Sequence, residues 1–149
     1  MTETPGSAKA CAAWGSRVLA VVIDAIPTGL LFGVLTAAFG ETSTSDSSFS
    51  FSLTGVPALV YFVGAIGWFV YNWLILQGGT GQTVGKKLLG IGVFRAGTAE
   101  PLGAGLTFAR QLAHIVDGIP CLLGYLWPLW DKENRTFADM MIGSRAYKV

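Results

Sequence analysis

A chain of 149 residues that is 52% hydrophobic and only 13% charged departs from an ordinary soluble domain, in which about a quarter of the residues are charged. The length suits one domain, and a net charge near +1 offers no field that would gather nucleic acid or an acidic substrate. Cys11 and Cys121 stand far apart with no CxxC or His/Cys cluster beside either, so neither a disulfide framework nor a zinc site is suggested and no cofactor is called for. The composition points to an all-α membrane protein and away from a soluble enzyme.

In chain order, residues 1–13 form a polar tail carrying Glu3 and Lys9, ahead of a membrane domain over 14–149. The apolar stretch that follows contains Asp24 and Pro27 and runs about twice as long as a signal h-region, so a cleaved signal peptide is not expected. A spanning helix needs about 20 mostly apolar residues, and three windows approach this: 18–39, 56–76 and 112–130. The second holds no charge, with Tyr61, Trp68, Tyr71 and Trp73 placed as an interfacial belt. Between the first two, 40–55 is polar and without periodicity, which reads as a solvent loop.

After the second window comes the glycine-rich run Gly81-Gln82-Thr83-Val84-Gly85-Lys86. Its spacing is not that of a phosphate loop, which needs four residues between its glycine and the Gly-Lys pair and a Ser or Thr after the lysine. The better account is a tight turn into a short interfacial helix, with Lys86 and Lys87 beside anionic lipid heads. A small cytoplasmic hairpin is then expected from 91–95 and the turn Ala96-Gly97-Thr98.

The third window is less regular. His114, Asp117 and Pro120 fall in its first half and Trp127, Pro128 and Trp130 crowd its end, so it either crosses fully or turns back near Pro120 or Gly124. In the tail, 132–139 is polar enough to be solvated, with Arg135 and Asp139 spaced as an i, i+4 surface pair. All ten Lys and Arg residues avoid the 40–55 loop, and the positive-inside rule places the N-terminus and 77–111 in the cytoplasm. The tail's basic residues return to that side only if the third window bends, and residues 88–94 and 145–149, both strand-like, could pair only on one side.

The first and third windows share a pattern. Arg17-Val-Leu-Ala-Val-Val-Ile-Asp24-Ala-Ile-Pro27 matches Arg110-Gln-Leu-Ala-His-Ile-Val-Asp117-Gly-Ile-Pro120, an internal repeat of the kind that builds transporter-like folds. Each Arg lies about 10 Å along the axis from its Asp and is expected to snorkel to lipid phosphates. Asp24 and Asp117 would then face each other at similar depth and hold a proton or a cation between them. His114, one turn from Asp117, is either a proton relay or an interfacial structural residue. Pro27 and Pro120 would each free a carbonyl that could join such a site. The plainer reading is that these polar groups are interhelical glue.

Together these features resemble the RDD family of bacterial integral membrane proteins, named for one arginine and two aspartates. The resemblance rests on Arg17 and Asp24, the box Gly81, Gln82, Thr83, Gly85 and Lys86, the repeated Arg110, and the ending Arg135-Thr-Phe-Ala-Asp139-Met-Met-Ile-Gly-Ser. Members commonly read His before the last Asp and Thr after the Gly, where this chain has Ala138 and Ser144. The terminal motif makes Asp139 the second family aspartate, while the internal repeat makes it Asp117. The resemblance implies a multi-pass protein of the bacterial inner membrane with a cytoplasmic N-terminus. The activity usually suggested for the family is transport, with sodium/proton antiport for some members; on the reading of the residues above, Asp24, Asp117 and His114 would couple it to a proton or cation in a homo-oligomer or with a membrane partner subunit, and the alternative is a scaffold or accessory subunit. No nucleophile, base and orienter fall together, so no catalytic role is expected.

Overall fold

The computed structural model describes residues 10–45, 47–98, 100–118 and 123–149; the expectations attached to Pro120 and Cys121 lie outside these. Among the described residues, two helices are long and apolar enough to cross a membrane: α1 (Trp14–Phe39) and α2 (Gly55–Thr80). Both are inverted relative to a soluble helix. Val18, Leu19, Val22, Leu30 and Val34 of α1 are exposed, while its buried residues are Ala20 and Asp24. Large apolar side chains facing outward suit hydrocarbon, where helices associate through small and polar residues.

Within α2 the stretch Val70–Leu76 is π-helical. Its i→i+5 bonding brings residues five apart onto one face; there Asn72 and Gln77, both buried, reach Asp24 of α1 and Lys86 respectively. Gly81 ends the span with φ +78 in the left-handed region, which favours glycine. The 40–55 segment is more ordered than a plain loop: β1 (Glu41–Ser45) and β2 (Ser48–Ser52) pair antiparallel with every residue exposed. The alternation in Ser-Phe-Ser-Phe-Ser is the period-2 signal that the polarity of the run obscures.

The short helix α3 (Val84–Leu88) packs on α1 and leads into β3 (Ile91–Arg95). The third window begins well before residue 112, as helix α4 (Gly103–Gly118). A second helical piece, α5 (Leu123–Leu129), is bent from it by 106°. The chain closes with α6 (Phe137–Ile142) and β4 (Ser144–Lys148). Among the described residues β3 makes its ladder with β4, antiparallel from Ile91↔Lys148 to Arg95↔Ser144; the segment after the turn at 96–98, where a hairpin was expected, meets β3 through an isolated bridge at Phe94↔Pro101 and Arg95 N to Glu100 O at 2.9 Å. Residues 10–12 join the other side of β4, through Ala12 N to Ala146 O at 2.8 Å and Lys148 N to Ala10 O at 2.9 Å. The N-terminal segment, the β3 region and the tail therefore meet at one end of the spans. Ala12, Ala20, Ile91, Val93, Leu102 and Ala146 form the small apolar core there.

Candidate functional site

The buried polar side chains gather at that same end, beneath the β3–β4 pair. Asp24 on α1 accepts at Oδ1 from Asn72 Nδ2 (2.9 Å) and from the backbone N–H of Gly85 (2.7 Å). Its Oδ2 is buried without a hydrogen-bond partner among the described residues. The backbone oxygen of Asp24 accepts from the Trp68 indole at 2.9 Å.

The glycine-rich box supplies the other wall. Thr83 caps α3 by accepting from Lys86 N at 3.2 Å. Val84 N donates to Asn72 Oδ1 at 2.9 Å and Gln82 Nε2 to Ile91 O at 3.0 Å. Gly85 is required by contact: a Cβ there would run into the Ala20 carbonyl and lie 3.1 Å from Asp24 Cγ.

Lys86 is not at the lipid surface. It is only 5% exposed, its ammonium donates to Gln77 Oε1, and Nζ lies 4.8 Å from the Trp73 ring centroid. Burial pushes its pKa down to about 7, with Arg110 acting in the same direction and Asp24 and Asp139 only partly opposing.

The two arginines of the repeated pattern do not snorkel. Arg17 NH1 lies 2.7 Å from Asp139 Oδ2, and Arg110 reaches Asp139 Oδ1 through Nε at 2.9 Å and NH2 at 2.8 Å. A carboxylate buried in this fold offers a stronger electrostatic partner than water-screened phosphates. Asp139 is fully buried, so the expected surface pair with Arg135 does not form and 136–139 is not solvated. Arg135, 31% exposed at its side chain, instead pairs with Asp131 and Glu133. Burial alone would raise the Asp139 carboxyl, but Arg110 and Arg17, with hydrogen bonds from Arg110 and Ser144, hold it well below the ordinary carboxylate range.

Asp117 sits apart from Asp24, and no hydrogen bond among the described residues joins the two. Asp117 accepts from Ala138 N at Oδ1 (3.2 Å) and meets His114 Nδ1 at Oδ2. His114 stacks on Tyr125 with ring centroids 5.2 Å apart.

The arrangements around the two aspartates correspond. α1 carries Asp24 and α4 carries Asp117. Each carboxylate accepts from the second backbone N–H of a short helix capped by threonine: Gly85 after Thr83 in α3, and Ala138 after Thr136 in α6. Each short helix is followed by a glycine of positive φ, Gly90 (+61) or Gly143 (+70), and then by a strand. The two strands pair with a symmetric register, the first residue of each opposite the last of the other. At the next position the two differ in charge, Lys86 against Asp139.

Sequence reasoning did not single out Asn72, Gln77, Thr136 or Ser144. For Asn72 a signal existed, since an uncharged amide inside an apolar span needs a partner there. Ser144 and Thr136 carried none beyond the terminal motif.

A cavity of about 380 Å³ opens at the centre of this cluster, lined by Arg17, Lys86, Arg110, Gln111 and His114 at its polar end and by residues including Val18, Val21, Val22 and Trp73 elsewhere.

The RDD family model matches residues 11–143. The chain is 34% identical over 143 residues to a proline-rich antigen of Mycobacterium leprae (strain TN), an alignment covering 87% of this chain and 57% of that protein. It is equally similar to the proline-rich antigen homologs of Mycobacterium tuberculosis strains CDC 1551 / Oshkosh and ATCC 25618 / H37Rv, of which 60% is covered. The chain thus spans under two thirds of the length of these curated relatives. No solved structure matches it.

Proposed function

The chain belongs to the RDD family, and from that premise we propose that it is a proton-coupled membrane transport protein whose exchangeable proton is held by Asp24 and Lys86. The observation that carries this reading is the buried Oδ2 of Asp24, left without a partner while Oδ1 takes two hydrogen bonds. A buried carboxylate oxygen with no donor is costly unless a proton or a ligand visits it. Lys86 beside it has no ion-pair partner among the described residues and loses its proton near neutrality. A proton passed between a buried acid and a buried base is a means of coupling proton movement to a change of shape.

A proton fits better than a metal cation. Asp24 and Asp117 each have their own helix N-terminus for a partner and share no ligand shell, and Arg17, Arg110 and Lys86 line the adjoining cavity. On this reading the two halves are diverged copies. Asp139 joins Arg17 and Asp24 as the family's second aspartate because it is the acid that holds both arginines. His114 orients Asp117 as a structural partner. The third window is re-entrant, since a net crossing between β3 and β4 would separate strands that pair. With the N-terminus in the cytoplasm of a bacterial inner membrane, the tail lies there too. Two spans enclose no pathway alone, so copies of the chain or a membrane partner complete it, and no catalytic step is involved.

The test is proton uptake into proteoliposomes under a potassium diffusion potential. Asp24→Asn keeps an oxygen for Asn72 and Gly85 but titrates no proton, and should abolish uptake with insertion intact. Uptake equal to the native chain's refutes the proposal. The Arg17–Asp139–Arg110 clamp favours the second reading, a membrane scaffold; there Asp24→Asn would change thermal stability or co-purifying partners and no proton movement would be seen in any form.

A further inference from the structure

The cavity between α1, α2, α3 and α4 presents a pattern of charge of which proton exchange uses only Lys86. Arg17, Lys86 and Arg110 all line it, together with Gln111, and among the described residues no Asp or Glu does. Three acids stand outside its lining: Asp117 is engaged by Ala138 and His114, Asp139 by the two arginines, and Asp24 by Asn72 and Gly85 through Oδ1, its Oδ2 keeping no partner among the described residues. Nε and NH2 of Arg17 and Nε2 of Gln111 are buried donors without a partner. The buried groups of these lining residues that lack a partner are thus donors, and an acceptor is what they lack.

The rest of the lining is apolar. Val18, Val21 and Val22 belong to the outward face of α1, each more than 40% exposed. The wall of the cavity is therefore continuous with the surface that α1 turns to lipid. A volume of about 380 Å³ is near the lower end for small-molecule sites, which span about 300–1,000 Å³. It accommodates a head group and the first part of a chain, with the remainder lying along the valines.

We propose that this cavity binds the anionic head of a single-chain amphiphile, a phosphate monoester or carboxylate, with its hydrocarbon laid against Val18, Val21 and Val22. Arg17 and Lys86 supply the charge and Gln111 a further donor, while the two guanidinium groups remain anchored by Asp139. The proposal goes beyond proton coupling and does not depend on proton movement. A negative proton-uptake result leaves it standing, and a negative binding result leaves proton coupling standing.

Trp14 and Trp73 line the cavity, so their fluorescence reports occupancy. The full chain in phosphatidylcholine nanodiscs is titrated with dodecyl phosphate brominated next to its head, with brominated dodecanol as the uncharged analogue. The expected result is saturable quenching by the phosphate alone, competed by unlabelled dodecyl phosphate. Its apparent Kd weakens about tenfold or more in Lys86→Gln and in Gln111→Leu, the loss of a hydrogen bond to a charged group; Gln111 is not part of the ion-paired clamp, so that variant keeps the test valid if Lys86→Gln is unstable. Lys132→Gln, at an exposed position, should bind as the native chain does. Equal quenching by the alcohol, or unchanged affinity in both variants, overturns the proposal. Displacement by inorganic phosphate at the same concentration as dodecyl phosphate overturns the amphiphile and leaves a free anion.

Discussion

The half of the molecule built on Asp24 and the half built on Asp117 share one backbone arrangement and differ in how completely it is satisfied. In the second, Asp139 stands at the third position of α6, reaches back to the Thr136 N–H in a reciprocal capping box, and closes on Arg17, Arg110 and Ser144. In the first, the same position of α3 is Lys86, which cannot accept from the cap, turns to Gln77 and Trp73, and leaves Asp24 with a free oxygen. One half is a closed clamp, and the other lacks that closure. Stability forgone at a buried site is where function is expected to sit.

Breaking the closed half should have the largest effect. Asp139→Ala leaves two guanidinium groups buried without their acid, a loss of about 3–5 kcal/mol. It should appear as aggregation or a collapsed melting temperature in detergent. Should Asp139→Ala melt like the native chain, the clamp is not what holds α1, α4 and α6 together.

Next comes Gly85→Ala, which makes the first half resemble the second at the position of Ala138. Because the Cβ would meet the Ala20 carbonyl, it should cost about 1–3 kcal/mol, measured by thermal unfolding. The reverse change, Ala138→Gly, should cost about 1 kcal/mol or less.

The pH dependence sharpens the contrast. Lys86 titrates near 7 in the fold against 10.5 for its ordinary value, so between these pH values the unfolded chain holds the extra proton and stability rises with pH. Below about 7 that gain is lost. The groups facing Lys86 are Arg17 and Asp24 on α1, Arg110 on α4 and Asp139 on α6. Melting temperature measured at neutral and at alkaline pH should rise more for the native chain than for Lys86→Gln; equal slopes would contradict a depressed lysine.

The smallest effects belong to the caps and the surface. Thr83→Ala and Thr136→Ala should each cost about 1 kcal/mol, with Thr136 the larger because its box is reciprocal. Arg135→Ala, at a partly exposed pair, should change stability by about 0–1 kcal/mol.

The sequence by itself determined the two apolar spans, because twenty consecutive lipid-compatible residues are a local property. It also determined the Arg-to-Asp pattern in 17–24 and 110–117, and the strand character of 91–95 and 145–149. Only the tertiary structure decided what those charges meet. Arg17 and Asp139 are separated by 122 residues, and no periodicity reports which distant carboxylate a buried guanidinium will choose. It turned Lys86 inward through a π turn that sets Gln77 beneath it, took Asp139 from the surface into the clamp, and gave Asp24 and Asp117 separate helix N-termini where similar depth had suggested a shared site. Desolvation is the physical reason. Once packing removes water, each buried charge must take the nearest group that satisfies it, and that neighbour is fixed by how the elements pack rather than by spacing along the chain.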